Sequence, residues 1–283
     1  MKKYISLILC LILIFTVFGC SKKTPEKSET FTYSDGFSMS PDDTQASMAD
    51  TTPVAQATPS AEADDVPTGT LYEPAVLMYH LIMEEPFNDM VDLFIRPSCF
   101  DSQVKQLQDA GYAFLTANNY HKTDVPSVMI TFDDGYVDNY TDAFPILKKY
   151  NVKATIFLIS NMVDTDGYLS SAQIKEMADS GLVYFGSHTA DHLQTTDLDA
   201  DSLREQYIQS QQKIIALTGQ TGCSAFCYPS GKHDEQAMNI CSEYYNFAYT
   251  TQSPRTVTSF TSFNIPRFRV TRGMEGDILS TIQ

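Results

Sequence analysis

Between Leu71 and Gln283 the sequence predicts an α/β fold, a parallel sheet curled into a (β/α) barrel, complete or distorted. Three observations predict it. Short runs rich in apolar, β-branched and aromatic residues alternate with stretches of helical spacing, the pattern of βα units around a parallel sheet. Six or seven such units in this length suit a barrel better than an open sheet. The polar motifs follow strands directly, where a barrel gathers its functional residues.

The chain begins differently. Met1, Lys2 and Lys3 precede an apolar run from Tyr4 to Phe18, then Gly19 and Cys20. A basic start, a short apolar stretch and a small residue before the break describe an export signal over residues 1–20. The run is shorter than the roughly 20 apolar residues of a spanning helix. Val17-Phe18-Gly19-Cys20 resembles a bacterial lipoprotein signal, which implies cleavage before Cys20 and acylation of its thiol. An uncleaved N-terminal anchor is the other reading. Either places the remainder outside the cytoplasmic membrane, held to it through the anchor alone. Residues 21–70 are dominated by Ser, Thr, Pro, Ala, Asp and Glu. Such a stretch buries too little apolar surface to offset the entropy of ordering, so it reads as a disordered acidic tether. Residues 71–283 have the size of one domain with a substantial core.

Within that domain Ala75–His80 is a short strand. Ser98–Ala110 has helical spacing through Phe100, Val104 and Leu107, with Gly111 at its stop. Ser127–Phe132 and Lys153–Ile159 are strands. Ser171–Ser180 is a helix closed by Gly181, and Leu182–Phe185 a strand. Ser202 with Glu205 has the form of a capping box, opening a helix that runs to about Leu217 and stops at Gly219. Ser224–Tyr228 is a strand, Glu235–Tyr244 a helix, Phe247–Thr250 a strand, and the region around Phe268–Val270 the last strand.

The formal net charge of -16 argues against nucleic acid and other anionic polymers as partners. A neutral or cationic glycan is compatible with it. Cys99, Cys223, Cys227 and Cys241 form no CxxC zinc spacing; disulfides and buried free thiols both remain open.

Three motifs carry the chemistry. Thr131-Phe132-Asp133-Asp134-Gly135-Tyr136 follows the strand SVMITF. Asp-Asp-Gly alone is an ordinary turn, yet two adjacent carboxylates can divide labour, one on a metal and one accepting a proton. Ser187-His188-Thr189-Ala190-Asp191-His192 follows the strand LVYF. Residues four apart share a face on a helical turn, so His188 and His192 can hold one ion together. Two His and one Asp leave an open position, the arrangement of a catalytic zinc. The third motif, Phe226-Cys227-Tyr228-Pro229-Ser230-Gly231, is a strand and a turn that can aim a backbone N–H at an oxyanion.

TFDDGY, SHTADH and the YPSG turn, in this order and at these separations, resemble the polysaccharide deacetylase family, carbohydrate esterase family 4 with its NodB-type domain. The resemblance spans nearly all of residues 71–283. It includes the opening VLMYHLI and the stretch NYTDAFPILKKYNVKATIFLI. The chain is most similar to the exported deacetylases of poly-β-1,6-N-acetylglucosamine, through the MYH segment, a YP-x-G turn and a late proline-arginine strand. The resemblance implies a distorted (β/α) barrel of the NodB type and a divalent metal, Zn2+ first, with Co2+, Ni2+ or Mn2+ as alternatives. It implies Asp133 as catalytic base, Asp134, His188 and His192 as metal ligands, and the Tyr228, Pro229 and Ser230 turn at the oxyanion and substrate. The implied activity is hydrolysis of N-acetyl groups on an extracellular polysaccharide by a monomer. An O-acetyl xylan esterase with the same site, or an inactive metal-containing glycan-binding lipoprotein, are the alternatives.

Three positions depart from the family pattern. The third motif usually begins with Arg, which orients the base; here Cys227 stands there, and Arg267 or Arg269 is expected to reach in instead. The chain has no Trp for the fourth motif. No histidine follows His233 to serve as the usual late general acid. His80, which ends the first strand and matches the MYH histidine, is expected to take that role.

Overall fold

The computed structural model describes residues 70–86, 91–274 and 276–282. The signal at 1–20, with Cys20, and the tether up to residue 69 lie outside the described residues. In chain order the elements are β1 (Ala75–Tyr79), β2 (Leu81–Ile82), β3 (Phe94–Ile95), α1 (Pro97–Asp109), β4 (Ala113–Leu115), β5 (Ser127–Phe132), α2 (Phe144–Tyr150) and β6 (Ala154–Leu158). There follow α3 (Ser171–Asp179), β7 (Val183–Ser187), α4 (Ala200–Thr218), β8 (Ala225–Cys227), α5 (Glu235–Cys241), β9 (Phe247–Tyr249), β10 (Phe268–Arg269) and α6 (Ile278–Ile282).

The main sheet runs β10-β1-β5-β6-β7-β8-β9, every pair parallel. β4 pairs with the first half of β5, and β6 with its last two residues. Residues 262–267 run beside β9, with Ile265 N donating to Ala248 O at 2.9 Å and Thr250 N to Ile265 O at 2.9 Å. That segment leads into β10, which pairs with β1, so the sheet curls round on itself. The strands that complete the turn, β8, β9 and β10, have only three, three and two residues. This is the distortion expected of the barrel.

All six residues of β5 are buried, as befits a strand with helices on one side and the barrel interior on the other. Side chains alternate between the two. Val76, Met129, Phe157, Ala225, Cys227, Tyr249 and Ile265 pack together inside the ring. Leu77, Tyr79, Val128, Ile130 and Phe132 face outward onto the helices, where Phe100, Val104 and Leu107 of α1 meet them. α1 begins on Pro97, whose missing N–H has no helical partner to lose.

Some expectations shift. α4 starts earlier than the Ser202–Glu205 pattern suggested: Asp199 is its cap, accepting from Ser202 N at 2.8 Å. The cap at α3 is the capping box, built by Ser170 and Gln173. α2, β4 and α6 had no sequence signal strong enough to stand out. Cys99, Cys223, Cys227 and Cys241 are free thiols. Among the described residues no helix is long and apolar enough to cross a membrane.

Candidate active site

The inward register of three strands builds the site. On β5 and its continuation, Met129, Thr131 and Asp133 succeed one another at steps of two, so the interior turns from apolar to acidic toward the strand's C-terminal end. Ile265, Arg267 and Arg269 repeat that rise on the segment entering β10. Ala225 and Cys227 do so on β8.

Arg267 is fully buried. Its Nη1 donates to Asp133 Oδ1 at 2.8 Å and its Nη2 to Asp133 Oδ2 at 2.7 Å, a bidentate pair. The remaining donors reach Thr250 O at 2.9 Å, Thr131 Oγ1 at 3.0 Å and Cys227 Sγ at 3.0 Å. Burial alone would push the Asp133 carboxyl up, but the guanidinium beside it prevails and holds it well below the usual carboxylate range. Of the two candidate arginines, Arg267 therefore contacts the Asp133 carboxylate. Arg269 does not: it lies one inward step higher, on the exposed rim. The small thiol at Cys227, whose own ionisation burial pushes far up, leaves the room that the Arg267 fork fills.

Asp134 follows in a left-handed conformation at φ 72°. Its turn needs Gly135, at φ 81°, because a Cβ there would stand 2.6 Å from Leu158 Cδ2. His188 Nε2 and His192 Nε2 each lie 3.5 Å from Asp134 Oδ1. The loop carrying the two histidines is irregular rather than helical, with Thr189 at φ 64° and His192 at φ 59°. The expectation of a shared helical face is thus corrected: left-handed residues, not a helical turn, bring the rings to 4.9 Å between centroids. His188 Nδ1 donates to the Cys227 carbonyl at 2.7 Å, which fixes the tautomer and leaves Nε2 a lone pair. Burial lowers the basicity of both imidazoles, favouring the neutral form that binds metals.

These residues fit a divalent cation. Asp134 Oδ1 is buried with no hydrogen-bond partner, an uncompensated acceptor facing two imidazole lone pairs. Donors on a tetrahedral ion at about 2.1 Å stand about 3.4 Å apart, close to the separations here. A second donor cluster, Asp133, His188 and Cys227, also lies within range of one point. There the Arg267 guanidinium already supplies the positive charge, so a metal has no place.

His80 Nε2 lies 3.8 Å from Asp133 Oδ2. Burial pulls its pKa down to about 4, against the upward pull of Asp133. The third motif sorts differently from expectation. Tyr228 is fully buried, its hydroxyl donating to Phe263 O at 3.0 Å and its N–H to Tyr249 O at 3.0 Å. It has no donor to spare for an oxyanion, because its strand position commits both groups. Pro229 has no N–H. Ser230, at φ 56°, lines the pocket and has no backbone acceptor among the described residues. The turn is held by Gly231, where any Cβ would collide with Thr251.

A cavity of about 450 Å³ opens over these groups, lined by His80, Asp133, Asp134, His188, His192 and Ser230, with Leu93, Tyr136, Thr251 and Arg269 completing its wall. Tyr136 was not singled out by sequence. It lines the cavity beside Asp134, and its ring stacks on Tyr168 at 5.1 Å. Asp138 and Asn139 were missed as well. Asp138 Oδ2 accepts from Ile82 N at 2.5 Å and Asn139 Nδ2 donates to His80 O at 2.9 Å, so the pair fixes the chain around His80. Their place four and five residues past Asp134 was the available signal.

The polysaccharide deacetylase family model matches residues 120–246. YxkH of Bacillus subtilis (strain 168), named as a polysaccharide deacetylase, is 32% identical over 209 residues, covering 71% of this chain and 72% of the relative. The poly-β-1,6-N-acetyl-D-glucosamine N-deacetylase of Staphylococcus epidermidis is 28% identical over 256 residues, 79% of this chain and 88% of the relative. The solved structure of the Streptococcus pyogenes deacetylase PplD in complex with acetate superposes with a TM-score of 0.68 at 26% identity, covering 76% of this chain and all of that one. A curled parallel barrel with carboxylates and imidazoles at its C-terminal rim defines a hydrolase of the NodB class. The chain belongs to the polysaccharide deacetylase family.

Proposed function

We propose that the protein is a divalent-cation-dependent deacetylase. It removes N-acetyl groups from an extracellular amino-sugar polysaccharide, poly-N-acetylglucosamine or a cell-wall glycan, while anchored outside the membrane through lipid on Cys20. The observation that carries this reading is the convergence of Asp134, His188 and His192 around one orphaned oxygen, with the Asp133 carboxylate free of that oxygen and clamped by Arg267.

Asp134, His188 and His192 would hold the cation, Zn2+ first. When bound, it supplies Lewis-acid polarisation of the acetyl carbonyl and acidifies the attacking water. Asp133 takes the water's proton; Arg267 keeps that carboxylate ionised and aimed until it does. Ser230, in the cavity wall, would offer its backbone N–H to the negative charge that develops on the carbonyl oxygen. Burial keeps His80 neutral at neutral pH, so beside Asp133 it would relay the proton taken from water to the departing amine, which leaves poorly unprotonated. Acetate and a free amino sugar are the products.

The test is acetate release by the protein from N-acetylated glucosamine oligomers, peptidoglycan and O-acetylated xylan, with and without chelator. Release from the first two, abolished by chelator and restored by zinc or cobalt, is expected. Release from xylan alone would replace the amide by an ester as substrate. No release from any would leave a glycan-binding lipoprotein.

A further inference from the structure

We propose that Arg269 selects an anionic substituent on the N-acetylated sugar, close to the acetamide. This rests on the function proposed above and narrows its substrate.

Arg267 and Arg269 share the inward face of one short segment, roughly 6.6 Å apart along the strand. The deeper guanidinium has all of its partners inside the protein. Arg269 has neither a carboxylate within 4.0 Å nor a hydrogen-bond acceptor among the described residues, yet it forms part of the catalytic cavity's wall. Its backbone is fixed beside Met78 of β1, so the side chain rises from a rigid strand rather than a loop. In a chain with 35 acidic and 19 basic residues, an unpaired arginine at this rim is not one of an excess of surface cations.

The local charge count points the same way. Asp133 is neutralised by Arg267, and Asp134 faces the cation site. Arg269 is then positive charge that nothing among the described residues balances, and it lines the cavity that would take the substrate. A neutral acetylated hexosamine offers it only dipoles. The planar fork of a guanidinium matches a carboxylate or phosphate, two acceptors at once. The acidity of the whole chain opposes a long polyanion, but that field is screened within about 8 Å at physiological salt. A single substituent in contact with Arg269 feels the guanidinium first.

Two sources share this chemistry, an ether-linked carboxylate, as on N-acetylmuramic acid, and a phosphate ester. The experiment compares matched pairs of oligomers with the zinc-loaded protein. One pair carries the N-acetylmuramic acid carboxylate or its carboxamide, and the other a sugar phosphate or its dephosphorylated form. Acetate release gives kcat and KM for wild type and Arg269→Gln. The expected result is a wild-type preference for the anionic member of one pair, expressed in KM, and a fall in that preference of about tenfold or more in Arg269→Gln. Arg269→Lys should restore part of it. The pair that responds identifies the source. A preference absent in wild type, or equal in wild type and Arg269→Gln, overturns the inference while leaving the deacetylase reading intact. Acetate release from no substrate overturns both.

Discussion

Inside one barrel, two layers of the same strands behave in opposite ways. The lower layer is Val76, Met129, Phe157, Ala225, Tyr249 and Ile265, an apolar plug whose one hydroxyl, on Tyr249, donates to Ala117 O at 2.7 Å. Above it, toward the C-terminal ends of the strands, stand Thr131, Asp133, Cys227 and Arg267, as buried as the layer beneath. The lower layer stabilises by excluding water. The upper layer bears buried charge that is tolerable only because each group is paired, and just above it Asp134 Oδ1 has no partner at all. The contrast shows how a fold confines its costly groups to one end, above a plug that excludes water.

Substitutions can break that contrast. The largest expected effect is that of Asp133→Asn, which should lower acetate release at least about a thousandfold while metal content per chain stays unchanged; activity within tenfold of wild type would remove Asp133 from the mechanism. Arg267→Met strands the Asp133 carboxylate in the interior and should cost about 3–5 kcal/mol by urea unfolding. Met129→Ala, one layer down, should cost about 2–5 kcal/mol through a cavity, yet leave zinc affinity as it was. A loss of zinc binding there would mean that the layers are not independent.

Asp138 sharpens the comparison through pH. Burial raises its pKa to about 6, while backbone N–H donation from Ile82 opposes the rise. A carboxyl whose folded pKa lies above its unfolded value binds more protons when folded, so stability falls as pH rises between about 4 and 6. The loss is about 3 kcal/mol at pH 7. Asp138→Asn should flatten that part of the pH–stability profile; an unchanged slope would show that the carboxylate ionises freely. The smallest effect belongs to Gly219, which ends α4 at φ 73° with open space where a Cβ would stand. Gly219→Ala should cost only about 1–2 kcal/mol of backbone strain, with kcat and KM untouched.

Much of this was legible from residue order. Alternating strands and helices foretold the parallel sheet, and most elements lie within a few residues of expectation. TFDDGY and SHTADH pointed to Asp133, Asp134, His188 and His192, which the fold draws together. Where reading failed, the failure was geometric. HxxxH suggested a helical face, but two left-handed residues do that work. Tyr228 sits in a motif, but its strand position turns the ring into the core. Tyr136 and Asp138 act on neighbours that sequence does not show, so their closeness to Asp134 in the chain was a signal with no partner to give it meaning.

Local chemistry is written in order: which residues can ionise, ligate or donate, and which strand each one follows. The sequence alone therefore determined the fold class and the group of candidate side chains. Only the tertiary structure set Arg267, and not Arg269, against the Asp133 carboxylate, put Ser230 in the cavity wall and left Asp134 Oδ1 unpaired. Those outcomes depend on which residues face inward and at what height. That register emerges only when strands distant in the chain lie side by side.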